Sequence, residues 1–257
     1  MVAADLDHGG WLRFGKDPAL AAWVAAALPL ALRALAESAE PWRCGGTWFV
    51  GVDALPNAPD GSVGGVPLTG VAASAVVRRF GPQSYHRAQL SVTRPGYPRP
   101  GAEETPAAFQ YRLKRDAAHI DGLLPVGVHR QRMIREPHAF VLGIPLNETD
   151  PGAAPLVVWE GSHRIMAAAF RSALAGCEPQ DWADVDVTDA YQDARRMVFD
   201  RCRRVVLHAK PGEALLLHRH LLHGVGAWEE GAVAPPEGRI IAYFRPELVD
   251  VRLWARD

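Results

Sequence analysis

"GEALLLHRHLLHGVG", residues 212–226, decides how this chain is read. Pro211 and Gly212 make a turn, and Ala214 to Leu217 then form an apolar run of strand character. Three histidines close the run, His218, His220 and His223, and Gly224 and Gly226 follow. A strand that carries imidazoles to its end is well suited to present a metal ligand at the rim of a β structure. Taken by itself, the stretch leaves all three histidines as candidates.

Working outward, "RDAAHIDGLL" at 115–124 supplies the missing partners. A strand sends alternate side chains to one face, so His119 and Asp121, at i and i+2, point the same way if the segment is extended. His-x-Asp alone is a common coincidence. Joined by one imidazole from 212–226, it becomes two histidines and a carboxylate. That donor set occupies one face of an octahedral metal and leaves three positions open, as in non-haem Fe(II) oxygenases.

The flanking sequence reads as a β-rich core. Strand candidates fall at 109–113, 117–120, 138–146, 154–159, 203–208, 213–218 and 239–244. Turn signals separate several of them: "NETDPGAAP" (147–155), "KPGE" (210–213) and "PPEG" (235–238). This spacing suggests a sandwich or barrel. A helical insertion is expected over 186–201. Upstream, an apolar helix runs to about Glu37, with Asp17 as its N-cap and Pro18 at its first position. A short strand near Trp48–Val52, a helix over 70–80 and a strand over 87–95 follow. "PGYPRPGAEETP" (95–106) is a loop and a candidate flap. The Gly- and Pro-rich stretch 42–70 lacks any phosphate-loop pattern. The expectation is one α+β domain over 1–257, with a flank at 1–84 and a core at 85–250.

Composition narrows the function. The chain has 257 residues, of which 48% are hydrophobic and 22% charged, and a net charge of -1. That balance argues against nucleic acid as a partner and against a polybasic membrane anchor. The apolar run 19–32 is short for a membrane span, and Pro29 interrupts it. Cys44, Cys177 and Cys202 are scattered and form no Cys-x-x-Cys pair, as expected of reduced thiols in a cytoplasmic protein. Nothing in the sequence sets the oligomeric state.

Three stretches, in order, resemble the phytanoyl-CoA dioxygenase (PhyH-like) family of Fe(II)/2-oxoglutarate-dependent dioxygenases. They are "HID" (119–121), "PLVVWEGSHR" (155–164) and "GEALLLHRHLLHGVG". The resemblance spans roughly residues 85–245. It implies a double-stranded β-helix (jelly roll, cupin-like) flanked by N-terminal helices. It implies His119, Asp121 and His223 as metal ligands, with His218 and His220 as neighbours. In "GRIIAYFRPE" it assigns Arg239 to the far carboxylate of 2-oxoglutarate, with Arg245 on the same strand face in reserve. The activity implied is hydroxylation of a small-molecule substrate with dioxygen, releasing succinate and carbon dioxide. The carboxylate at Asp121 favours this over halogenation.

The resemblance leaves other polar residues in lesser roles. Glu160 shapes its loop, and His163 is structural. His138 and His208 read as ordinary strand histidines, and Gln89 and Tyr111, which could line the pocket, read better as core or surface residues. Arg94, Arg99, Arg130, Arg132 and Arg135 could meet an anionic substrate. The substrate itself would be covered by the N-terminal segment and the 95–106 loop. A cupin-like metalloenzyme without 2-oxoglutarate and a non-catalytic binding barrel are the alternatives.

Overall fold

A computed structural model describes residues 6–256. In chain order the strands are β1 (Trp11–Phe14), β2 (Trp48–Gly51), β3 (Gln89–Thr93), β4 (Leu123–Val126), β5 (Gln131–Ile134) and β6 (Phe140–Pro145). They continue as β7 (Leu156–Trp159), β8 (Arg204–Leu207), β9 (Ala214–His218), β10 (His223–Val225) and β11 (Arg239–Phe244). The helices are α1 (Pro18–Glu37), α2 (Val71–Phe80), α3 (Pro106–Lys114), α4 (Ser162–Ala173) and α5 (Thr188–Arg201). The protein is α+β, with antiparallel pairing throughout.

A six-stranded sheet runs β1-β9-β6-β11-β3-β2, and a three-stranded sheet runs β10-β7-β8. Among the described residues no ladder joins them into a closed barrel. Alternation along the strands builds the layers. On the large sheet, Leu142, Ile144, Leu216, Ile240, Ala242, Phe244, Leu90 and Val92 face outward onto the helices. There they meet Leu20, Trp23, Val24, Ala27 and Ala31 of α1 and Val76 of α2. Trp23 is fully buried against Phe244, with ring centroids 5.8 Å apart. Truncating such a side chain costs about 3–5 kcal/mol.

Asp17 caps α1 as expected, accepting from the Ala19 and Leu20 amides. The helix is 20 residues long, and by length and hydropathy it would also pass for a membrane span. Its buried stripe lies against the sheet.

The opposite face of the large sheet turns inward. Val141, Leu215 and Leu217 pack there against Leu156, Val158 and Leu207 of the small sheet. The far side of the small sheet carries Val157 and Trp159, which are covered by Met166 and Phe170 of α4 and by Tyr191, Ala194 and Val198 of α5. Two faces and two helical covers give three layers of apolar contact. The inner face is not apolar throughout. Along β11 and β3 it carries Arg239, Tyr243, Thr93, Ser91 and Gln89, a polar stripe between the sheets.

Several expectations need correction. Residues 109–113 belong to helix α3, because the Thr105 side chain caps the Ala108 amide and Pro106 opens the first turn. The strand expected at 117–120 shrinks to one bridge between His119 and His223, since Asp116 and Ala117 have left-handed backbones. Helix α4 and strands β1, β4 and β5 were not expected. The first 84 residues also do more than flank, since β1 and β2 form the two edges of the large sheet. The 95–106 loop is pinned by Tyr97, which is buried and accepts from the Trp228 amide at 2.7 Å through its carbonyl.

Candidate metal centre

Register sets the direction of each ligand. In the small sheet His223 pairs with Val158, and Val225 with Leu156, so His223 faces the interior between the sheets. His119 bridges His223 through the main chain, which puts the two rings side by side with centroids 4.7 Å apart. Asp121, two residues on, joins them. One donor atom from each of His119, Asp121 and His223 lies within 4.8 Å of the others. No other group of three or more His, Cys, Asp or Glu among the described residues has this geometry.

Both histidines have their tautomer set by the backbone. His119 Nδ1 lies 3.0 Å from the Ala117 carbonyl, and His223 Nδ1 lies 2.9 Å from the Leu221 carbonyl. A carbonyl only accepts, so each Nδ1 carries a proton and Nε2 is the nitrogen each ring turns to the site. Both Nε2 atoms face the carboxylate. His119 Nε2 is 3.3 Å from Asp121 Oδ1, and His223 Nε2 is 3.9 Å from Asp121 Oδ2. Burial would raise the Asp121 carboxyl, but His119, His223 and Arg245 outweigh it and hold it well below the usual range. Burial pushes His223 down to about 4. Burial works against protonation of His119 too, but Asp121 and the Ala117 carbonyl more than offset it, and its pKa rises. The result is one ionised carboxylate and two imidazoles that turn Nε2 towards it, a donor set for a divalent metal. The His119 side chain is 45% exposed, so the centre opens on that side.

Glycine permits the close approach of the chain on either side. A Cβ at Gly224 would strike the Asp116 carbonyl oxygen, and one at Gly122, where φ is +82°, would strike that of Glu136. Asp116 is tied in turn to Arg204 by two hydrogen bonds of 2.7 and 2.8 Å, which anchors the loop that carries His119.

Arg239 and Arg245 share a face of β11 but occupy its two ends. Arg239 is buried and lines a narrow cavity between the sheets with Tyr243, Gly143, Leu156, Leu217 and His208. Its Nη1 is buried without a hydrogen-bond partner among the described residues. Thr93 stands opposite it in register, and its hydroxyl is equally unpartnered. A buried cationic donor and a buried hydroxyl with nothing to bind suit a carboxylate. Arg245, the reserve candidate for that role, lies instead at the metal end. Its Nη1 is 3.6 Å from Asp121 Oδ2, and its Nη2 donates to Gln89 Oε1 at 2.7 Å.

The fold itself is found among solved structures. No protein-family model matches the chain, and no curated protein does. Among solved structures, it is similar to SnoN, a non-haem α-ketoglutarate-dependent epimerase from nogalamycin biosynthesis. Against the SnoN complex with Fe3+, α-ketoglutarate and nogalamycin RO, identity is 15% and the TM-score 0.51. The match covers 96% of this chain and 82% of that one. AviO1 from Streptomyces viridochromogenes Tue57 matches at 14% identity and TM-score 0.50, over 95% and 93% of the two chains. The fold is that of the non-haem, α-ketoglutarate-dependent enzymes. At these identities the likeness is one of fold, and the chemistry rests on the residues.

The remaining candidates sort plainly. His218 and His220 point away from the centre. His220 is fully buried against Phe170 and Trp254, with centroids 5.5 and 4.5 Å away. Burial drives His218 to about 2 and His220 well below its usual value, so both stay neutral. Glu160 shapes its loop as expected, accepting from Trp11 and Arg203. Tyr111 donates to the Ala118 carbonyl at 2.8 Å and so braces the ligand loop. His208, read as an ordinary strand residue, in fact lines the Arg239 cavity. Three of the arginines proposed to meet substrate are engaged elsewhere. Arg94 lies over Trp42, Arg132 donates to the Leu123 carbonyl, and Arg135 pairs with Asp184. Thr93 was not singled out, and the contact of Gln89, a possible pocket residue, with Arg245, the reserve arginine, was not expected. The signal available was parity, because Gln89, Ser91 and Thr93 alternate along β3 as Arg239, Tyr243 and Arg245 do along β11.

Proposed function

We propose that this protein is an Fe(II)- and 2-oxoglutarate-dependent oxygenase that hydroxylates a small-molecule substrate. The observation that carries the reading is the pairing of two features in one interior. His119, Asp121 and His223 converge at one end, and Arg239, whose Nη1 is buried without a partner among the described residues, lies in a cavity further along the same polar stripe. The three converging residues would hold the iron, and Arg239, with Thr93 opposite, would hold the far carboxylate of 2-oxoglutarate. When bound, iron and 2-oxoglutarate supply the oxidising chemistry, in which dioxygen and the keto acid give succinate, carbon dioxide and one oxygen atom for a substrate C–H bond.

The chain's own residues prepare this. The Ala117 and Leu221 carbonyls hold both Nδ1 protons, so Nε2 is the ligating nitrogen of each ring; His223 is already neutral, while His119 would give up the proton that Asp121 favours. Asp121 is already ionised. Leu156, Leu207, Leu215 and Leu217 line the Arg239 cavity with apolar surface, which strengthens any ion pair made inside it. The exposed side of His119 is the approach left for substrate. SnoN, which shares the fold, is an epimerase, so the fate of the activated carbon is a separate question from the cofactor set.

Calorimetric titration of 2-oxoglutarate into the Mn(II)-loaded protein is the direct test. Metal-dependent binding, lost in Arg239→Ala, supports the reading. Succinate formation with Fe(II) and dioxygen, followed by labelled oxygen in the product, supports hydroxylation. Metal binding with no 2-oxoglutarate affinity and no succinate would sink it in favour of a cupin-like metalloenzyme.

A further inference from the structure

We infer that Arg245, held by Gln89, is a positioning residue that makes Asp121 a one-oxygen ligand. The inference rests on the reading of His119, Asp121 and His223 as a metal centre. The two carboxylate oxygens of Asp121 have different neighbours. Oδ1 faces His119 Nε2 at 3.3 Å, while Oδ2 lies 3.9 Å from His223 Nε2 and also 3.6 Å from the Arg245 guanidinium. A gap of 3.6 Å is a charge contact and not a hydrogen bond. The full hydrogen bond of Arg245 goes to the neutral Gln89 amide oxygen at 2.7 Å.

This is a costly way to keep an arginine. Its side chain is 12% exposed, and its Nε is buried with no partner among the described residues. A buried cation needs a paired anion; the carboxylate nearest to it is Asp121, with Glu136 feeling its charge from further off. Gln89 explains how the cation is held. It sits on β3 opposite Tyr243, one step along the ladder from Arg245, and its side chain points to the same inner face. A glutamate there would take the guanidinium for itself, whereas a neutral amide steadies it and leaves its charge for Asp121.

The count of coordination positions gives the arrangement a purpose. Two imidazoles and one carboxylate oxygen use three of six octahedral positions and leave three. A carboxylate bound through both oxygens would use a fourth. A chelating co-substrate and dioxygen together need three. A guanidinium beside one oxygen opposes the swing that would bring both oxygens to the metal.

The sign of the effect separates this from simple electrostatics. A nearby cation repels a divalent metal, so removing its charge should tighten binding if charge were all that mattered. If Arg245 positions Asp121, removing it should weaken binding by about tenfold, the low end of what outer ligand partners contribute.

Co(II) titration of the full-length protein, read by calorimetry and by the visible spectrum, tests this, since the spectrum reports coordination number. Arg245→Gln is expected to bind Co(II) about tenfold more weakly than wild type, with a changed spectrum and a melting temperature within a few degrees of it. Arg245→Lys keeps the charge but cannot reach Asp121 and Gln89 together, and should fall between the two. Gln89→Leu leaves the arginine in place, should shift the spectrum the same way by less, and decides the matter if Arg245→Gln does not fold. Wild-type affinity and spectrum in all variants, or tighter binding in Arg245→Gln, would overturn the inference and leave the metal centre standing. Failure of the wild type to bind Co(II) at all would overturn both.

Discussion

His119 and His223 hydrogen-bond to each other through the main chain in both directions, at 2.8 Å and 3.1 Å. The bridge belongs to no longer ladder, and the backbone on its His119 side turns left-handed at Asp116 and Ala117 just before it. Two ligands 104 positions apart in sequence are thus locked side by side by backbone alone. Their side chains are free to serve the metal, because neither is needed to hold the other in place.

A variant that removes the ring without the backbone should therefore separate folding from metal binding. His119→Ala is expected to melt within a few degrees of the metal-free wild type. It should also lose the rise in melting temperature that added Fe(II) or Mn(II) gives the wild type, since a ligand stabilises only the state that binds it. Thermal denaturation with and without metal reads both. A large loss of stability in the metal-free variant would show that the ring itself holds the bridge.

Gly122 predicts a cost of another kind. It follows Asp121 directly, has φ of +82°, and lies where a Cβ would meet the Glu136 carbonyl oxygen. That same region is closed by the Arg135 amide donating to the Gly122 carbonyl at 2.9 Å. Gly122→Ala must move the backbone, so a loss of about 2 kcal/mol or more is expected in chemical denaturation. Because Asp121 is the neighbour, metal affinity should fall with it. A variant with wild-type stability would mean that the turn relaxes freely.

Of the candidate ligands, His119 and Asp121 were legible from their i and i+2 spacing, whereas His223 stood out from His218 and His220 only through the family resemblance. Strand β11 was readable as a short apolar run, "RIIAYF", that follows a turn and is buried on both faces. The segment 109–113 misled because capping by Thr105 and Pro106 outweighs a weak alternation. Strands β1, β4 and β5 are four residues each, too short for periodicity to speak. The division of labour between Arg239 and Arg245 was hidden for a different reason. Both lie on one face, and only pairing with β3 and the approach of Asp121 tell the two ends apart.

Acid should destabilise the protein through His218 and His220. Burial lowers His218 to about 2 and His220 well below its usual value. In the unfolded chain each takes a proton near pH 6.5. Below that pH the unfolded state binds two protons that the folded state refuses, so stability falls as pH falls, by about 1.4 kcal/mol per unit for each histidine. In the metal-free protein His223, at about 4, adds a third such group over the same range. His119 is shifted upward and acts above 6.5, where its contribution is lost as pH rises through its folded value. Denaturation midpoints between pH 6.5 and 5, above the main carboxylate range, should drop steeply. The slope should ease by about one proton in His220→Phe. A flat profile would mean that the interior histidines do take up protons.

Thr93 allows stability and co-substrate binding to be set against each other. Its hydroxyl is fully buried, lies opposite Arg239 in register and has no hydrogen-bond partner among the described residues. An unsatisfied buried hydroxyl costs about 1–3 kcal/mol relative to an apolar group of the same shape. Thr93→Val keeps the shape and the β-branched strand preference, so the metal-free protein should become more stable by about 1 kcal/mol. If the hydroxyl waits for the far carboxylate of 2-oxoglutarate beside Arg239, the same change should weaken 2-oxoglutarate about tenfold, the worth of a hydrogen bond to a charged group. Mn(II) affinity should not change, because Thr93 lies at the Arg239 end of the stripe, away from the ligands. Chemical denaturation and calorimetry on the one variant measure all three quantities. A gain in stability with unchanged 2-oxoglutarate affinity would place the carboxylate elsewhere along β11. A loss of stability would mean that the Thr93 hydroxyl already has a partner, such as an ordered water, in solution.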